Sequence, residues 1–349
     1  MTTGIILLNF GEPAIPDEDR VVAYLEHIFL TNAAIESYGG GDAGERARTL
    51  AERRAHGLIK EYNAIDGSPL NQQSSDQAVA IEATLHDRGF DDVTTYVGMQ
   101  YTDPLIKDVA TQARADGIDT LVGLPVYPLC GPSTTVAALR DLSVAVDDLG
   151  WNADVVNITG WHRHPLYIRL RTDMIRTFAT EQGIDLDEST TELVYSAHGT
   201  PQHYLDEGSR YVEYVDEWCD LVAKLLGIEA YTIGYQNHEN RNVAWTEPSI
   251  EEVITEIDAE CVVVDPISFM HEQSETLWEL DTELRDIATD AGLEFYRVPI
   301  PHDDDRFSTV LADLVEPTVA GSDPGIYHLR PCKCTETLDA LCLNCPTEP

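Results

Sequence analysis

Short apolar runs rich in β-branched residues alternate along the chain with stretches whose apolar positions recur every three or four residues. That alternation predicts parallel strands covered by amphipathic helices. In the first half, strands are expected at Gly4 to Phe10, Val93 to Met99 and Thr120 to Val126, with helices at Asp17 to Phe29, Gly44 to Glu61, Ser74 to Arg88 and Pro104 to Asp116. The pattern then begins again. Strands are expected at Asp154 to Thr159, Glu192 to Ala197, Ala230 to Tyr235, Cys261 to Pro266 and Glu294 to Val298. Helices accompany them at Pro165 to Glu181, Ser209 to Leu226, Ile250 to Ile257, Glu272 to Ala291 and Arg306 to Leu314. An acidic segment near Asp147 to Asn152 marks the expected boundary. The expectation is an α/β fold of two similar Rossmann-like halves, residues 1–150 and 151–328, followed by a separate tail, 329–349. Open α/β sheets bind ligands at the carboxyl ends of their strands, so the cleft between the halves is the place to look for chemistry.

Two segments fall there. SAHGTP, Ser196 to Pro201, follows the apolar run Leu193-Val194-Tyr195. Gly199-Thr200-Pro201 would end that strand in a turn and aim the His198 imidazole at the cleft. ETLWELD, Glu275 to Asp281, opens a helical stretch in which Glu272, Glu275, Glu279 and Glu283 recur at spacings of three and four, hence on one face. An imidazole moves a proton near neutral pH, and a column of carboxylates attracts a divalent cation. A wet acidic helix face and a structural histidine are the plainer readings of the same residues.

The charge changes the setting. With 62 acidic and 22 basic residues the net charge is −40, and only Lys60, Lys107, Lys224 and Lys333 are lysines. Molar salt, with a Debye length of about 3 Å, screens such self-repulsion, so the surplus reads as adaptation to a salt-rich cytoplasm. It also excludes nucleic acid as a partner, since phosphate binding requires a basic stripe. No basic n-region precedes the first strand, and no apolar run approaches the roughly 18 residues of a transmembrane span. A cytoplasmic protein is expected.

Taken in order, the motifs resemble those of the ferrochelatases, which insert Fe(II) into a porphyrin. ILLNFGEP (Ile6 to Pro13) resembles the family's first strand and loop, DGSPL (Asp66 to Leu70) its Gly-Ser-Pro-Leu segment, and YVGMQYTDP (Tyr96 to Pro104) a third stretch. LPVYPLCGPSTT (Leu124 to Thr135) is similar to the segment ending in Ser-Thr-Thr, SAHGTP to the histidine motif and ETLWELD to the glutamate motif. The resemblance implies a chelatase-type fold and a porphyrin and ferrous iron as partners in haem synthesis. His198 would accept a pyrrole proton or help bind iron, Glu275 would be its partner, and Glu279 would lie further along a carboxylate path. Phe10, Tyr127 and Trp245 are candidates for the porphyrin wall. Gln273 stands where many members have a histidine, with His271 two residues earlier, and Gln100 and Thr102 also depart from the common pattern. The substrate is protoporphyrin IX or coproporphyrin III. A porphyrin or haem carrier without turnover is the alternative.

The tail carries Cys332-Lys333-Cys334 and Cys342-Leu343-Asn344-Cys345. Intracellular thiols at this spacing favour a metal over a disulfide, and four thiolates can hold zinc or a [2Fe-2S] cluster. The resemblance points to the cluster, because several ferrochelatases carry one near the C-terminus with a further cysteine from the Ser-Thr-Thr segment. Cys130 lies three residues before Ser133, so five cysteines compete for four places. Read from the tail alone, an iron-sulfur redox protein is a third reading. Cys219 and Cys261 read as core.

Overall fold

The computed structural model of the chain describes residues 2–31, 42–238, 243–333 and 339–343. Among these residues ten strands run in chain order as β1 (Thr3–Asn9), β2 (Val93–Met99), β3 (Thr120–Pro125), β4 (Asp154–Thr159), β5 (Thr191–His198), β6 (Thr232–Gln236), β7 (Cys261–Pro266), β8 (Glu294–Arg297), β9 (Arg330–Pro331) and β10 (Ala340–Cys342). They form two sheets, ordered β2-β1-β3-β4-β10-β9 and β6-β5-β7-β8. The pairings are parallel except between β9 and β10. β1 and β5, at the centres of the sheets, read as continuous apolar runs because helices cover both faces. All seven residues of β1 are buried.

The expected partition meets two corrections. β4, assigned from the sequence to the second half, pairs with β3 and belongs to the first sheet. The acidic run before it is the solvated end of a helix, Ala137–Asp148, and the turn into β4, so the charge there marks a surface. Nor is the tail separate: β10 adds in parallel to β4, and Leu329, Ala340 and Cys342 are buried. A strand as short as β10 carries no propensity signal of its own; the open edge of β4 makes it a strand.

Helix Asp305–Val319 packs on Leu70–Asp87 of the first half and on Pro165–Gln182 of the second. Beneath it Arg171 pairs with Asp265 with both side chains fully buried, and its second nitrogen donates to the Pro299 carbonyl at 2.9 Å. Removing one partner of such a pair leaves an uncompensated charge in the core. The pair ties helix Pro165–Gln182 to the end of β7, which delivers the chain to the cleft. Among the described residues no helix is long and apolar enough to cross a membrane.

Candidate active site

His198 is the last residue of β5, and its neighbours fix its ring. Its backbone N–H donates to Ser268 Oγ at 2.9 Å, and the Tyr211 hydroxyl donates to its carbonyl at 3.0 Å. The ring Nδ1 lies 2.6 Å from the Gly199 carbonyl. A carbonyl only accepts, so Nδ1 carries a proton and Nε2 is the atom turned to the cleft. Gly199 is required here, since a Cβ on it would fall 1.8 Å from Asn237 Oδ1.

Glu275 meets that nitrogen: His198 Nε2 is 3.1 Å from Glu275 Oε1. Glu275 begins a π-helix, Glu275–Leu284, where an α-helix was expected. Its hydrogen bonds reach five residues rather than four, and such wide turns gather at functional sites. Gln236 at the end of β6 anchors it, donating to the Glu275 carbonyl at 3.0 Å and to Glu279 Oε2 at 3.1 Å. At the other side Glu12, buried in the loop after β1, accepts from Ser274 N at 3.0 Å and Ser274 Oγ at 2.5 Å.

The carboxylates differ in protonation. Burial pushes the pKa of Glu275 up, but His198 foremost, then His238 and the Gln273 hydrogen bond, outweigh it and hold the group below the usual carboxylate value. Glu279 is raised well above that value, by burial and then by the negative Glu275. Glu12 is raised by burial, against hydrogen bonds from Ser274 and Ser68. One charged carboxylate thus stands beside Glu279, which holds its proton well above the usual carboxylate range, as expected when like charges share a poorly solvated site.

Two cavities meet at this point. An apolar chamber of about 120 Å³ is lined by Phe10, Tyr127 and Trp245, together with Tyr101, Phe269 and His198. An acidic chamber of about 870 Å³ is lined by Glu12, Glu61, Glu275, Glu279 and Glu283. Phe10, Ile28, His238 and Glu275 line both. The three aromatic residues named from the sequence all lie on the first chamber. Glu272 instead turns away to Arg297 at 3.1 Å. Gln100 is buried, and Thr102 accepts from Asn71 at 3.0 Å; neither lines the apolar chamber.

The roles of three side chains escaped sequence reading. Gln273 donates to Glu275 Oε2, so what looked like a lost histidine is a support for the carboxylate. Glu12 belongs to a quoted motif but carries no signal apart from its burial. His238 lies two residues beyond β6, and its Nε2 is 4.0 Å from Glu275 Oε1. The parallel register pairs His198 with Gln236, so the residues just after β6 open on the same cleft as SAHGTP. That rule was available from the sequence.

Of the cysteines, Cys130 is buried, and burial pushes its thiol up to about 11, with Thr159 lowering and Cys332 raising it. Thr159 in turn lies beside Cys342 in the β4–β10 register, and Cys332 N donates to the Ala340 carbonyl at 2.7 Å. Cys130, Cys332 and Cys342 therefore gather at one end of the first sheet. Cys334 and Cys345 lie outside the described residues. Cys219 is buried in helix Tyr211–Leu226, and Cys261 is half-buried at the start of β7.

Comparison with known proteins bears on the chain as a whole. The family model described as Ferrochelatase matches residues 2–319. The ferrochelatase of Synechococcus sp. (strain RCC307) is 34% identical over 331 residues, covering 92% of this chain and 83% of the relative. That of Thermosynechococcus vestitus (strain NIES-2133 / IAM M-273 / BP-1) is 34% identical over 334 residues, covering 91% and 82%. Among solved structures, SirB from Bacillus subtilis with Fe3+ superposes with a TM-score of 0.51 at 9% identity, covering 92% of this chain and 97% of that one. CbiX, the terminal enzyme for biosynthesis of siroheme in denitrifying bacteria, gives a TM-score of 0.50 at 15% identity, with 90% and 98% covered; at such identities the likeness shows the fold alone. The chain belongs to the ferrochelatase family, the enzymes that insert iron into a porphyrin in haem synthesis.

Proposed function

We propose that insertion takes place between the two chambers, with His198 as proton acceptor, Glu275 as its charged partner and Glu279 as the next carboxyl outward. The pairing of His198 Nε2 with Glu275 Oε1 at 3.1 Å carries this reading. Metallation exchanges two pyrrole protons for one dication, so the site must take protons on the macrocycle side and admit Fe(II) on the other. Gly199 keeps a proton on Nδ1, so Nε2 is the nitrogen that exchanges protons: it shares one with Glu275 Oε1 and becomes an acceptor for a pyrrole proton once that shared proton has left through the carboxylates. The charged Glu275 draws the dication, and an approaching dication favours release of the proton held on Glu279. The apolar chamber is smaller than the roughly 300 Å³ at which ligand pockets begin, so the macrocycle enters as wall side chains such as Trp245 swing outward. The carrier reading loses its motive, since Gln273 supports the carboxylate.

The test is an anaerobic assay in molar salt with Fe(II) and either protoporphyrin IX or coproporphyrin III, followed by the Soret band. Wild-type turnover that disappears in His198→Ala is the expected result. Stoichiometric porphyrin binding without turnover in the wild type would favour a carrier, and undiminished turnover in His198→Ala would remove the proton-acceptor role.

We further propose that Cys130, Cys332 and Cys342, with Cys334 or Cys345, hold a [2Fe-2S] cluster. The donor set fits: Cys342 lies opposite Thr159 in the β4–β10 register, Cys130 is close enough to Cys332 and Thr159 for both to act on its thiol, and thiolate suits both cluster iron and zinc. A cluster there would supply one-electron redox chemistry and a clamp on the tail. Visible absorption of anaerobically purified protein with iron and sulfide in equal amounts supports it; stoichiometric zinc without sulfide rules it out. The acidic surplus supports a salt-rich cytoplasm as the working environment.

A further inference from the structure

Beyond the His198–Glu275 pair, the cleft holds a third ligand-type side chain. The donor atoms of His198, His238 and Glu275 all lie within 4.8 Å of one another. We propose that these three residues form a single site for a divalent first-row cation, with His238 as the third ligand, loaded from the acidic chamber before the porphyrin is metallated. The proposal rests on the reading that His198 and Glu275 handle the iron, and it adds the residue that turns a pair into a site.

Four observations carry it. First, bonds of about 2.1 Å at angles between 90° and 110° keep donor atoms roughly 3.0 to 3.4 Å apart. The 3.1 Å between His198 Nε2 and Glu275 Oε1 already meets that spacing, and the 4.0 Å from His238 Nε2 closes with a side-chain shift of about 1 Å. The His238 side chain is 34% exposed. Second, the outer atoms are held as a ligand site requires: His198 Nδ1–H donates to Gly199 O, and Glu275 Oε2 accepts from Gln273. The remaining atoms, Nε2 and Oε1, turn to the common point. Third, two imidazoles and one carboxylate are the donor set that holds non-haem Fe(II) while leaving positions open. Open positions are what transfer to a macrocycle needs, because the pyrrole nitrogens must bind before the protein lets go. Fourth, His238 and Glu275 lie on the wall between the chambers, so an ion bound there has left the acidic side and faces the apolar one.

The plainer role for His238 is an edge-on ring contact with Trp245, at 5.3 Å between centroids, and an ion pair with Glu275. Metal binding separates the two. Co(II) serves as the probe, titrated anaerobically in molar KCl without porphyrin into the wild type, His238→Ala, His238→Gln and Glu275→Gln. Affinity and the visible d–d spectrum are read, with thermal unfolding as the control for folding and Fe(II) insertion measured beside them. Differences between variants cancel binding by the tail and the acidic surface. Both His238 variants are expected to weaken Co(II) binding at least about tenfold, or 1.4 kcal/mol, and to change the d–d bands as water replaces a nitrogen ligand. If His238→Ala and His238→Gln keep the wild-type affinity and spectrum while Glu275→Gln loses them, His238 is no ligand and the proposal falls, with the His198–Glu275 reading intact. If Glu275→Gln is also unchanged, both fall.

Discussion

Gln273 donates to Glu275 Oε2, the carboxylate oxygen that does not face His198. A carboxylate free to rotate would offer its two oxygens alternately; held at one, it presents the other steadily to the imidazole. Gln273→Ala should therefore lower the rate of iron insertion about 10- to 100-fold, the range typical of lost supports around a ligand, with porphyrin affinity little changed. Gln273→His keeps a donor and should recover most of the rate. The KM and kcat of the two variants check this, and a wild-type rate in Gln273→Ala would show that Glu275 needs no support.

Gly199 has a separate duty. An added methyl would strike Asn237, the residue before His238, and the Gln236 carbonyl. Gly199→Ala should displace the end of β6 and with it both His238 and the Gln236 anchor of the π-helix, so insertion should fall more than tenfold. A solved structure of the variant with β6 unmoved, or a rate within twofold of wild type, would contradict this.

Much of this arrangement was legible in the chain itself. β2, β4 and β7 begin and end where expected, and β7, buried after its first residue, shows why: a covered parallel strand reads as a continuous hydrophobic stretch. The π-helix was not legible, since a stretch with carboxylates every fourth residue looks the same whether its hydrogen bonds span four residues or five. The membership of β4 in the first sheet was hidden for a different reason. Helix Ala137–Asp148 follows the Pro132–Val136 turn and was missed, so the chain seemed to pass between halves before β4. Sites built from strand ends show in sequence as motifs, as SAHGTP does. His238, just past the end of β6 with no motif around it, shows only once neighbouring strands are aligned.

The pH dependence of stability has one identifiable source in His271. Its ring is buried and its Nδ1 faces the Asn9 amide nitrogen at 3.2 Å, an arrangement that needs an unprotonated Nδ1. Burial first, and His302 second, lower its pKa to about 3. Unfolded, the same ring titrates near 6.5, so between about pH 6.5 and 3 the unfolded chain binds a proton that the folded chain refuses. Stability contributed by the neutral ring is whole above that window and declines as the pH drops through it, by at most about 1.4 kcal/mol per pH unit. Urea unfolding at pH 7 and pH 5 should show wild type losing more than His271→Gln. Equal losses would remove His271 as the source.

Salt should act in the opposite sense to its effect on most ion pairs. A net charge of −40 opposes compaction, and raising KCl from 0.1 M to 1 M shortens the Debye length from about 10 Å to about 3 Å. Pairs such as Arg88 with Asp313 at 2.8 Å and Glu316 at 2.5 Å weaken under that screening, but acidic residues outnumber basic ones nearly threefold. The melting temperature should rise steadily into the molar range. A flat or falling curve would mean that the charges are already neutralised locally.

The tail offers the sharpest separation of stability from catalysis. β10 covers the edge of β4 through Asn157, Ile158 and Thr159, and Leu343 N donates to the Gly160 carbonyl at 3.1 Å. Deleting residues 329–349 exposes a strand edge and the apolar side chains beneath it, so the melting temperature should drop by several degrees and the protein should aggregate when salt is lowered. The catalytic pair is built from β5 and the π-helix. The tail approaches it through Cys130, whose neighbours Leu129 and Gly131 line the apolar chamber. The deleted chain should therefore insert iron at a rate within a few fold of wild type per folded molecule, and Cys342→Ser in the full chain should do the same while losing any cluster absorption. A deletion variant that folds, binds porphyrin and inserts no iron would place the tail in the reaction itself.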